Sequence, residues 1–196
     1  MRKGKTFIVS GPSGVGKSTV LNALLARNSN LYFSVSATTR APREGEVNGV
    51  HYHFLDQETF QAWIARDEFL EYAEYVGNFY GTPKQYVDAA MDEGRDVILD
   101  IEIQGAMQVK HKRPETVSIF IAPPSWEELE RRLTARGTDT SEKIRQRLLR
   151  AKVEVQNAHA YEYFVVNDTV ENAVGELSAI ITAEHCKPSD RMEILA

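Results

Sequence analysis

The chain has 196 residues, 42% of them hydrophobic, enough for one well-packed domain and too few for two of ordinary size. Its net charge of −5 argues against nucleic-acid binding by the chain as a whole, and no apolar run is long enough to span a bilayer. The single cysteine, Cys186, excludes an intrachain disulfide, and the amino terminus lacks the apolar stretch of a signal peptide, so we expect a cytoplasmic protein.

The predicted elements alternate between short apolar runs and longer stretches with helical spacing. In chain order, strands are predicted at Thr6–Ser10, Phe33–Ser36, His51–Leu55, Val97–Ile101, Val117–Ala122 and Tyr163–Val166. Helices are predicted at Ser18–Ala26, from Asp56 through Ile64, from Pro83, from Ser125 with a capping-box Glu128, at Ser141–Ala158 and at Val170–His185. A turn is predicted at Gly77–Thr82.

This alternation indicates an α/β domain with a mainly parallel sheet, right-handed crossovers and helices on both faces. Two inserts, near residues 33–82 and 125–157, are polar and are predicted to be poor in strands. Because nucleotides bind at the carboxyl ends of parallel strands, we expect a nucleotide site where these inserts emerge.

The segment GPSGVGKS, Gly11–Ser18, matches the phosphate-loop pattern G-x-x-x-x-G-K-[ST], and it lies between a buried strand and a helix, where that loop belongs. Its glycines allow backbone N–H groups to turn inward around a phosphate, and the helix N-terminus adds its positive dipole end. Lys17 would bind the β- and γ-phosphates, and Ser18 would bind Mg²⁺. These flanks make a chance glycine-rich turn the weaker alternative. The residues predicted to bind the nucleoside triphosphate here are Gly11, Pro12, Ser13, Gly14, Val15, Gly16, Lys17, Ser18 and Thr19.

Asp100 ends the predicted strand VILD. Many phosphate-loop proteins hold an acid facing the metal at such a position, so we expect Asp100 to bind Mg²⁺ directly or through water. A solvated carboxylate at a strand end is the alternative.

Six further segments resemble the guanylate kinase family, in family order and over nearly the whole chain: FSVSATTRAPREGEVNGVHYHF (33–54), EFLEYAEYVGNFYGT (68–82), ILDIEIQG (98–105), IFIAPPS (119–125), RLTARGT (132–138) and VVND (165–168). The resemblance implies one phosphate-loop NTPase domain over residues 1–196, with a core (1–32, 83–124 and 158–190), a GMP-binding insert (about 33–82) and a helical lid (about 125–157). It also implies transfer of the γ-phosphoryl group of ATP to GMP, and to dGMP, a step of guanine nucleotide synthesis and recycling.

An acceptor monophosphate carries a doubly charged group that paired guanidinium forks grip well. Arg40 and Arg43 are three residues apart, and the phenols of Tyr52 and Tyr80 can add hydrogen bonds. The resemblance assigns these four side chains to the phosphate of GMP. From the spacing alone, RAPREGE is equally well a surface loop held by internal ion pairs.

Guanine presents two donors, N1–H and the exocyclic amine, and one acceptor, O6, so a carboxylate and a hydroxyl complement it. The resemblance places Ser36, Glu71, Thr82 and Glu102 at this base. Some family members have serine in place of Thr82 and aspartate in place of Glu102. The alternative for Glu71 is an exposed carboxylate on an amphipathic strand.

The resemblance assigns Arg132, Arg136 and Arg147 to the lid over the ATP phosphates, whereas Arg131, Arg145 and Arg150 read as solvated. Asn167 is either an adenine contact or a turn-forming asparagine. The residues expected to take part in catalysis are Lys17, Arg40, Arg132, Arg136 and Arg147. Because the second pKa of a phosphate monoester is about 6, GMP needs no general base, and closure of both inserts is expected to exclude water.

Three alternatives remain: a scaffold domain that binds phosphorylated peptides, a kinase for another nucleoside monophosphate, and a regulatory GTPase. An intact phosphate loop disfavours the first, and the polar groups expected around guanine disfavour the second. The third would need an N-K-x-D-type motif, which the sequence lacks. The expected ligands are ATP, GMP and Mg²⁺, with no nucleic acid or membrane partner, in a monomer or homodimer.

Overall fold

The computed structural model describes residues 3–135 and 140–191. The strands are β1 Thr6–Ser10, β2 Leu31–Phe33, β3 Ala37–Thr38, β4 His53–Phe54, β5 Phe69–Tyr75, β6 Asn78–Pro83, β7 Asp96–Asp100, β8 Val117–Ala122 and β9 Tyr163–Val166. The helices are α1 Lys17–Arg27, α2 Gln57–Ala65, α3 Lys84–Asp92, α4 Ile103–Lys112, α5 Trp126–Ala135, α6 Ser141–Gln156, α7 Val170–Glu184 and α8 Pro188–Arg191. A 3₁₀ turn, Asn157–Ala160, follows α6.

The larger sheet has the strand order β2-β7-β1-β8-β9. Strands β2 and β7 pair in parallel, and so do β8 and β9. Every residue of β1, β7 and β8 is buried except the last residue of β7, as expected of apolar strands covered on both faces. The predicted α/β fold with a mainly parallel sheet is therefore confirmed, and the bounds of β1, β8 and β9 are as predicted.

The described chain forms two compact units. The first unit comprises residues 3–8 and 30–117, and the second unit comprises residues 9–29, 118–135 and 140–191. Strand β1 is shared, since its first three residues belong to the first unit and its last two to the second. The division into core, insert and lid stays a prediction.

The first unit contains a second sheet, with the strand order β4-β3-β6-β5. Strands β3 and β4 pair in parallel, whereas β6 is antiparallel to both β3 and β5. The expectation that residues 33–82 are poor in strands was therefore wrong, and so was the predicted turn at Gly77–Thr82. The turn lies at Val76 and Gly77, with φ values of 49° and 72°, and the residues that follow pair with β5.

A small aromatic core stabilises this second sheet. Phe60 of α2 stacks on Phe69 of β5 with ring centroids 4.4 Å apart, and Trp63 packs against the same cluster. The carboxylate of Asp56 accepts a hydrogen bond from the backbone N–H of Thr59 at 2.6 Å, which confirms Asp56 as the N-cap of α2. Other boundaries moved as well. The predicted strand at Phe33–Ser36 falls largely between β2 and β3, and α3 begins one residue after Pro83. The predicted strand at His51–Leu55 contains the shorter β4, and β7 begins and ends one residue before the predicted Val97–Ile101.

In the second unit, α5 and α6 pack through buried Leu129, Leu133 and Ala151. The hydroxyl of Ser125 accepts from the backbone N–H of Glu128 at 3.1 Å, which confirms the predicted start of α5. Helix α6 ends at Gln156, two residues earlier than predicted. No helix within residues 3–135 and 140–191 is long and apolar enough to cross a membrane.

Candidate active site

The phosphate loop in the second unit ends at Gly16, the N-cap of α1, with φ 93°. A Cβ atom at Gly16 would lie 2.7 Å from Nδ2 of Asn167, so this position requires glycine on conformational and steric grounds. Lys17 and Ser18 are the first two residues of the helix, and Ser18 is exposed. A phosphate bound in the loop would therefore meet helix N–H groups, a positive dipole end and these two side chains.

Arg132 of α5 makes three hydrogen bonds that fix its guanidinium beside this loop. Nη1 donates to the carbonyl oxygen of Val15 at 2.9 Å, and Nη2 donates to the carbonyl oxygen of Asn167 at 3.0 Å. Nε donates to Oε1 of Glu128 at 2.7 Å. The arginine fork is thus held by two backbone acceptors and one carboxylate, and it brings a fixed positive charge to the loop.

Asn167, the residue directly after β9, supports the same loop. Its side chain is buried, and its Nδ2 donates to the carbonyl oxygen of Val15 at 2.7 Å. Arg147 of α6 also reaches the loop, donating from Nη2 to the hydroxyl of Ser13 at 2.6 Å. Two predicted lid arginines, Arg132 and Arg147, therefore contact the phosphate loop, and the third, Arg136, lies outside the described residues. The predicted adenine contact of Asn167 stays a prediction.

The sequence predicts Glu128 only as part of a helix cap, but its carboxylate also accepts hydrogen bonds from two arginines, Arg131 and Arg132. Hydrogen bonds from Arg131 and then Arg132 lower the pKa of Glu128 to about 2. The carboxylate is therefore ionised at any ordinary pH and holds Arg132 by a charge-assisted bond. Arg131 is exposed, as expected for a solvated arginine.

Three of the four residues predicted to bind the acceptor phosphate, namely Arg40, Tyr52 and Tyr80, lie together in the first unit. The guanidinium carbon of Arg40 lies 5.5 Å from the ring centroid of Tyr52, and the rings of Tyr52 and Tyr80 meet edge to face at 6.0 Å. Burial raises the pKa of Tyr52, and the charges of Tyr80, Glu46 and Asp100 raise it further against the opposing effect of Arg40. This cluster joins one cation to two phenols, a set suited to a phosphate.

Glu46 is a member of this cluster that the sequence interpretation did not assign to it. Its Oε1 accepts from Nη2 of Arg40 at 2.8 Å, and its Oε2 accepts from the backbone N–H of Arg43 at 2.7 Å. The hydrogen bond from Arg40 lowers the pKa of Glu46 to about 2. The internal ion pair considered for RAPREGE is therefore present, and it orients Arg40, while the side chain of Arg43 is exposed.

Glu71 on β5 is a buried carboxylate, 7% exposed. Its Oε1 accepts a hydrogen bond from the hydroxyl of Thr82 at 2.6 Å. Burial raises the pKa of Glu71, against the opposing effect of Thr82, and the nearby charge of Glu102 raises it further. The alternative of an exposed Glu71 was wrong, whereas Glu102 is exposed at the N-cap of α4.

Ser36, the remaining predicted base contact, directly precedes β3 and is half-buried. Its carbonyl oxygen accepts from the backbone N–H of His53 at 2.9 Å. The role of its hydroxyl toward guanine stays a prediction.

The family model described as guanylate kinase matches residues 3–184. The chain is 54% identical over 185 residues to a guanylate kinase of Halalkalibacterium halodurans, covering 94% of this chain and 91% of that protein. It is 53% identical over 190 residues to a guanylate kinase of Thermus thermophilus, covering 97% of this chain and 86% of that protein. The chain belongs to the guanylate kinase family. Its fold also matches the crystal structure of a guanylate kinase from Anaplasma phagocytophilum, with a TM-score of 0.75, 38% identity and coverage of 95% and 89% of the two chains.

Membership of the guanylate kinase family gives the two groups of residues their context. The second unit holds the phosphate loop with Arg132 and Arg147, and the first unit holds Arg40 and Glu71 with their partners. Glu46 and Glu128 are the residues that sequence reasoning missed as members of these groups. Glu46 lies six residues after Arg40, within a segment quoted for the family, and Glu128 lies four residues before Arg132. The nearby arginine was the signal in both cases.

Proposed function

We propose that this guanylate kinase family member binds ATP at the phosphate loop and GMP at the groups around Arg40 and Glu71. The chain transfers the γ-phosphoryl group of ATP to the phosphate of GMP and releases ADP and GDP. The observation that carries the choice of acceptor is the buried carboxylate of Glu71, bonded to the hydroxyl of Thr82. The carboxylate complements the N1–H and exocyclic amine donors of guanine, and the hydroxyl of Thr82, which donates to Oε1 of Glu71, holds it in place.

On the donor side, Lys17 and the loop N–H groups bind the β- and γ-phosphates. Arg132 and Arg147 add positive charge where negative charge spreads over the transferring group. The hydrogen bonds of Arg132 to Val15 and Asn167 support this role, because a charge fixed before the reaction costs no reorganisation during it. Arg136 keeps its predicted role by resemblance alone.

On the acceptor side, Arg40, Arg43, Tyr52 and Tyr80 bind the phosphate of GMP. Glu46 orients the Arg40 fork, which supports a fixed angle of approach for the attacking oxygen. The same arginine neutralises part of the repulsion between two polyanions that have to react in line.

Base selection rests on Glu71, with Ser36, Thr82 and Glu102 completing the predicted contacts. Guanine N1–H and the exocyclic amine would donate to the ionised carboxylate of Glu71. Adenine has no N1–H donor, so AMP would leave a buried carboxylate without a partner, a strong basis for rejection. GMP and dGMP share the same base, and both are proposed as acceptors.

The attacking atom is a phosphate oxygen of GMP, whose second pKa of about 6 leaves it mostly ionised at neutral pH. It forms a bond to the γ-phosphorus as the bond from that phosphorus to the β,γ-bridging oxygen breaks. The two electrons of the broken bond leave with ADP, and no proton has to move. Positioning and charge neutralisation by the named residues therefore account for the catalysis.

Magnesium is the proposed cofactor. The exposed hydroxyl of Ser18, next to Lys17 at the start of α1, is an oxygen donor of the kind that Mg²⁺ prefers. When bound with ATP, the ion neutralises charge on the β- and γ-phosphates. Asp100, a half-buried carboxylate at the end of β7, is the second proposed ligand, directly or through water.

The test is ADP release in a coupled assay with ATP and Mg²⁺, offering GMP, dGMP, AMP, CMP and UMP separately. We expect turnover with GMP and dGMP only, and its loss in Lys17→Ala. Turnover with AMP or a pyrimidine nucleotide would overturn the assignment of Glu71. A folded chain that turns over no acceptor would favour the peptide-binding scaffold instead.

A further inference from the structure

Strand β5 is an edge strand of the smaller sheet, and its outer side is covered by side chains of α4. Gln108 accepts from the backbone N–H of Tyr72 at 3.2 Å and donates to the carbonyl oxygen of the same residue at 3.0 Å. Its amide thus makes the two bonds that a neighbouring strand would have made. Four residues on, Lys112 donates to the carbonyl oxygen of Phe69 at 2.8 Å and to the carboxylate of Asp67 at 2.7 Å.

Gly105 lies on the same face of α4, three residues before Gln108. A Cβ atom at Gly105 would lie 2.7 Å from Oε2 of Glu71 and 3.1 Å from its Cδ. Because Gly105 has no side chain, the buried carboxylate of Glu71 can occupy this space. This face of α4 thus lies along β5: Gly105 is beside Glu71, Gln108 bonds Tyr72, and Lys112 bonds Phe69.

We propose that this face of α4 fixes the position of Glu71 in the guanine pocket, with Gly105 as a specificity-determining residue and Gln108 as a positioning residue. The inference rests on the proposed role of Glu71 as the ligand of guanine. The Thr82 hydrogen bond on one side and the backbone of α4 at Gly105 on the other restrict the carboxylate of Glu71 to one position. Discrimination between bases needs a carboxylate in a fixed position, because a mobile carboxylate could turn to another partner when the bound base lacks an N–H donor.

The proposal predicts an unusual separation of stability from binding. In Gly105→Ala the three atoms nearest the new Cβ are Oε2, Cδ and Cγ of Glu71, at 2.7, 3.1 and 3.3 Å, so the strain falls on the side chain of the predicted guanine ligand. Because a side chain rather than the backbone has to shift, we expect the fold to survive. We expect the KM for GMP to rise tenfold or more, the KM for ATP to change less than twofold, and the melting temperature to stay within a few degrees. The ratio of kcat/KM for GMP to that for inosine monophosphate, which lacks the exocyclic amine, should fall at least threefold.

Gly175→Ala is the matched control, because Gly175 also lies in a helix and a Cβ atom there would meet nothing within 4 Å. It should leave both KM values and the GMP-to-inosine-monophosphate ratio unchanged. If Gly105→Ala behaves like Gly175→Ala, or raises the KM values for ATP and GMP equally, the role of Gly105 is overturned.

Gln108→Met tests the second contact with a side chain of similar length that has no amide. We expect a threefold to tenfold rise in the KM for GMP with kcat and the KM for ATP little changed. Gln85→Met, at an exposed glutamine of α3, is its control. An equal response of the two variants would show that Gln108 does not position Glu71.

Glu71→Gln separates this inference from the function on which it rests. If Glu71→Gln leaves GMP binding unchanged, the guanine pocket itself is misassigned. If Glu71→Gln weakens GMP binding and Gly105→Ala does not, the pocket stands and the role of α4 falls.

Discussion

Arg132 donates a hydrogen bond from Nη1 to the backbone carbonyl oxygen of Val15, at 2.9 Å, and so joins α5 to the phosphate loop. The two residues are 117 positions apart in the chain. The same carbonyl oxygen accepts from Nδ2 of Asn167. One loop carbonyl thus bonds both an arginine and the asparagine that follows β9.

Arg132→Lys is expected to lower kcat by about a hundredfold, because an ammonium group cannot reproduce a fork that bonds three acceptors at once. The measurement is kcat at saturating ATP and GMP. Arg131→Lys, at the exposed neighbouring arginine that also bonds Glu128, is the control and should keep nearly full activity. Equal losses in the two variants would contradict a special role for Arg132.

Glu46→Gln is expected to raise the KM for GMP about threefold to tenfold, since it weakens a charge-assisted bond that orients Arg40. The folded pKa of Glu46, about 2, lies below its ordinary value of 4.5. The stabilisation from this pair is therefore complete above the ordinary value and is lost as the pH falls toward 2. Steady-state kinetics from pH 6 to 9 should show a constant ratio between the KM values for GMP of the variant and the parent. Glu44→Gln, at an exposed residue of the same loop, is the control and should leave the KM for GMP unchanged.

Glu71→Gln is expected to stabilise the unliganded protein at pH 7 while raising the KM for GMP about a hundredfold. Because burial raises the pKa of Glu71, the folded protein binds its proton more tightly than the unfolded chain does. Stability therefore decreases as the pH rises from the ordinary value of 4.5 through the raised pKa, and the neutral amide removes this loss. Urea denaturation at pH 4.5 and pH 7.5 should show a larger gain for the variant at the higher pH; a gain of the same size at both would refute the explanation.

Thr82→Val is expected to raise the KM for GMP about tenfold, because it removes the hydroxyl that donates to Glu71 and keeps the side-chain volume. Thr82→Ser keeps the hydroxyl and should bind GMP nearly as well as the parent. Isothermal titration of each variant with GMP gives the comparison directly. Weak binding by Thr82→Ser and strong binding by Thr82→Val would reverse the assignment.

The parts of the fold that the sequence predicted well are those with strong local signals. Strand β8, Val117–Ala122, is an apolar run broken only by Ser118, and the loop before Lys17 has a fixed glycine pattern. The smaller sheet was predicted only in part: β4 lies within the predicted strand His51–Leu55, whereas β3 has two residues, too few for any periodicity. Strand β6 begins right after Gly77, and its glycine and asparagine resemble a turn in sequence.

The candidate site divides in the same way. Arg40, Glu71 and Lys17 could be picked out from segments typical of the family, although their roles stay predictions. The role of Glu128 could not, because its spacing with Ser125 predicts only the backbone capping bond, which is present, and not the bonds that its carboxylate accepts from Arg131 and Arg132. Gln108 gives no signal at all, since its partner Tyr72 is 36 positions away in the chain.

The pairing of Gln108 with Tyr72 also has a consequence for how molecules of this protein meet one another. An edge strand whose N–H and C=O groups are exposed can accept a strand from a second molecule and start an aggregate. On β5 the backbone groups of Tyr72 are already occupied, and the carbonyl oxygen of Phe69 is bonded to Lys112. A foreign strand could not run past these positions without first displacing a helix of the same chain, so the contact proposed to position Glu71 also protects the sheet from intermolecular extension.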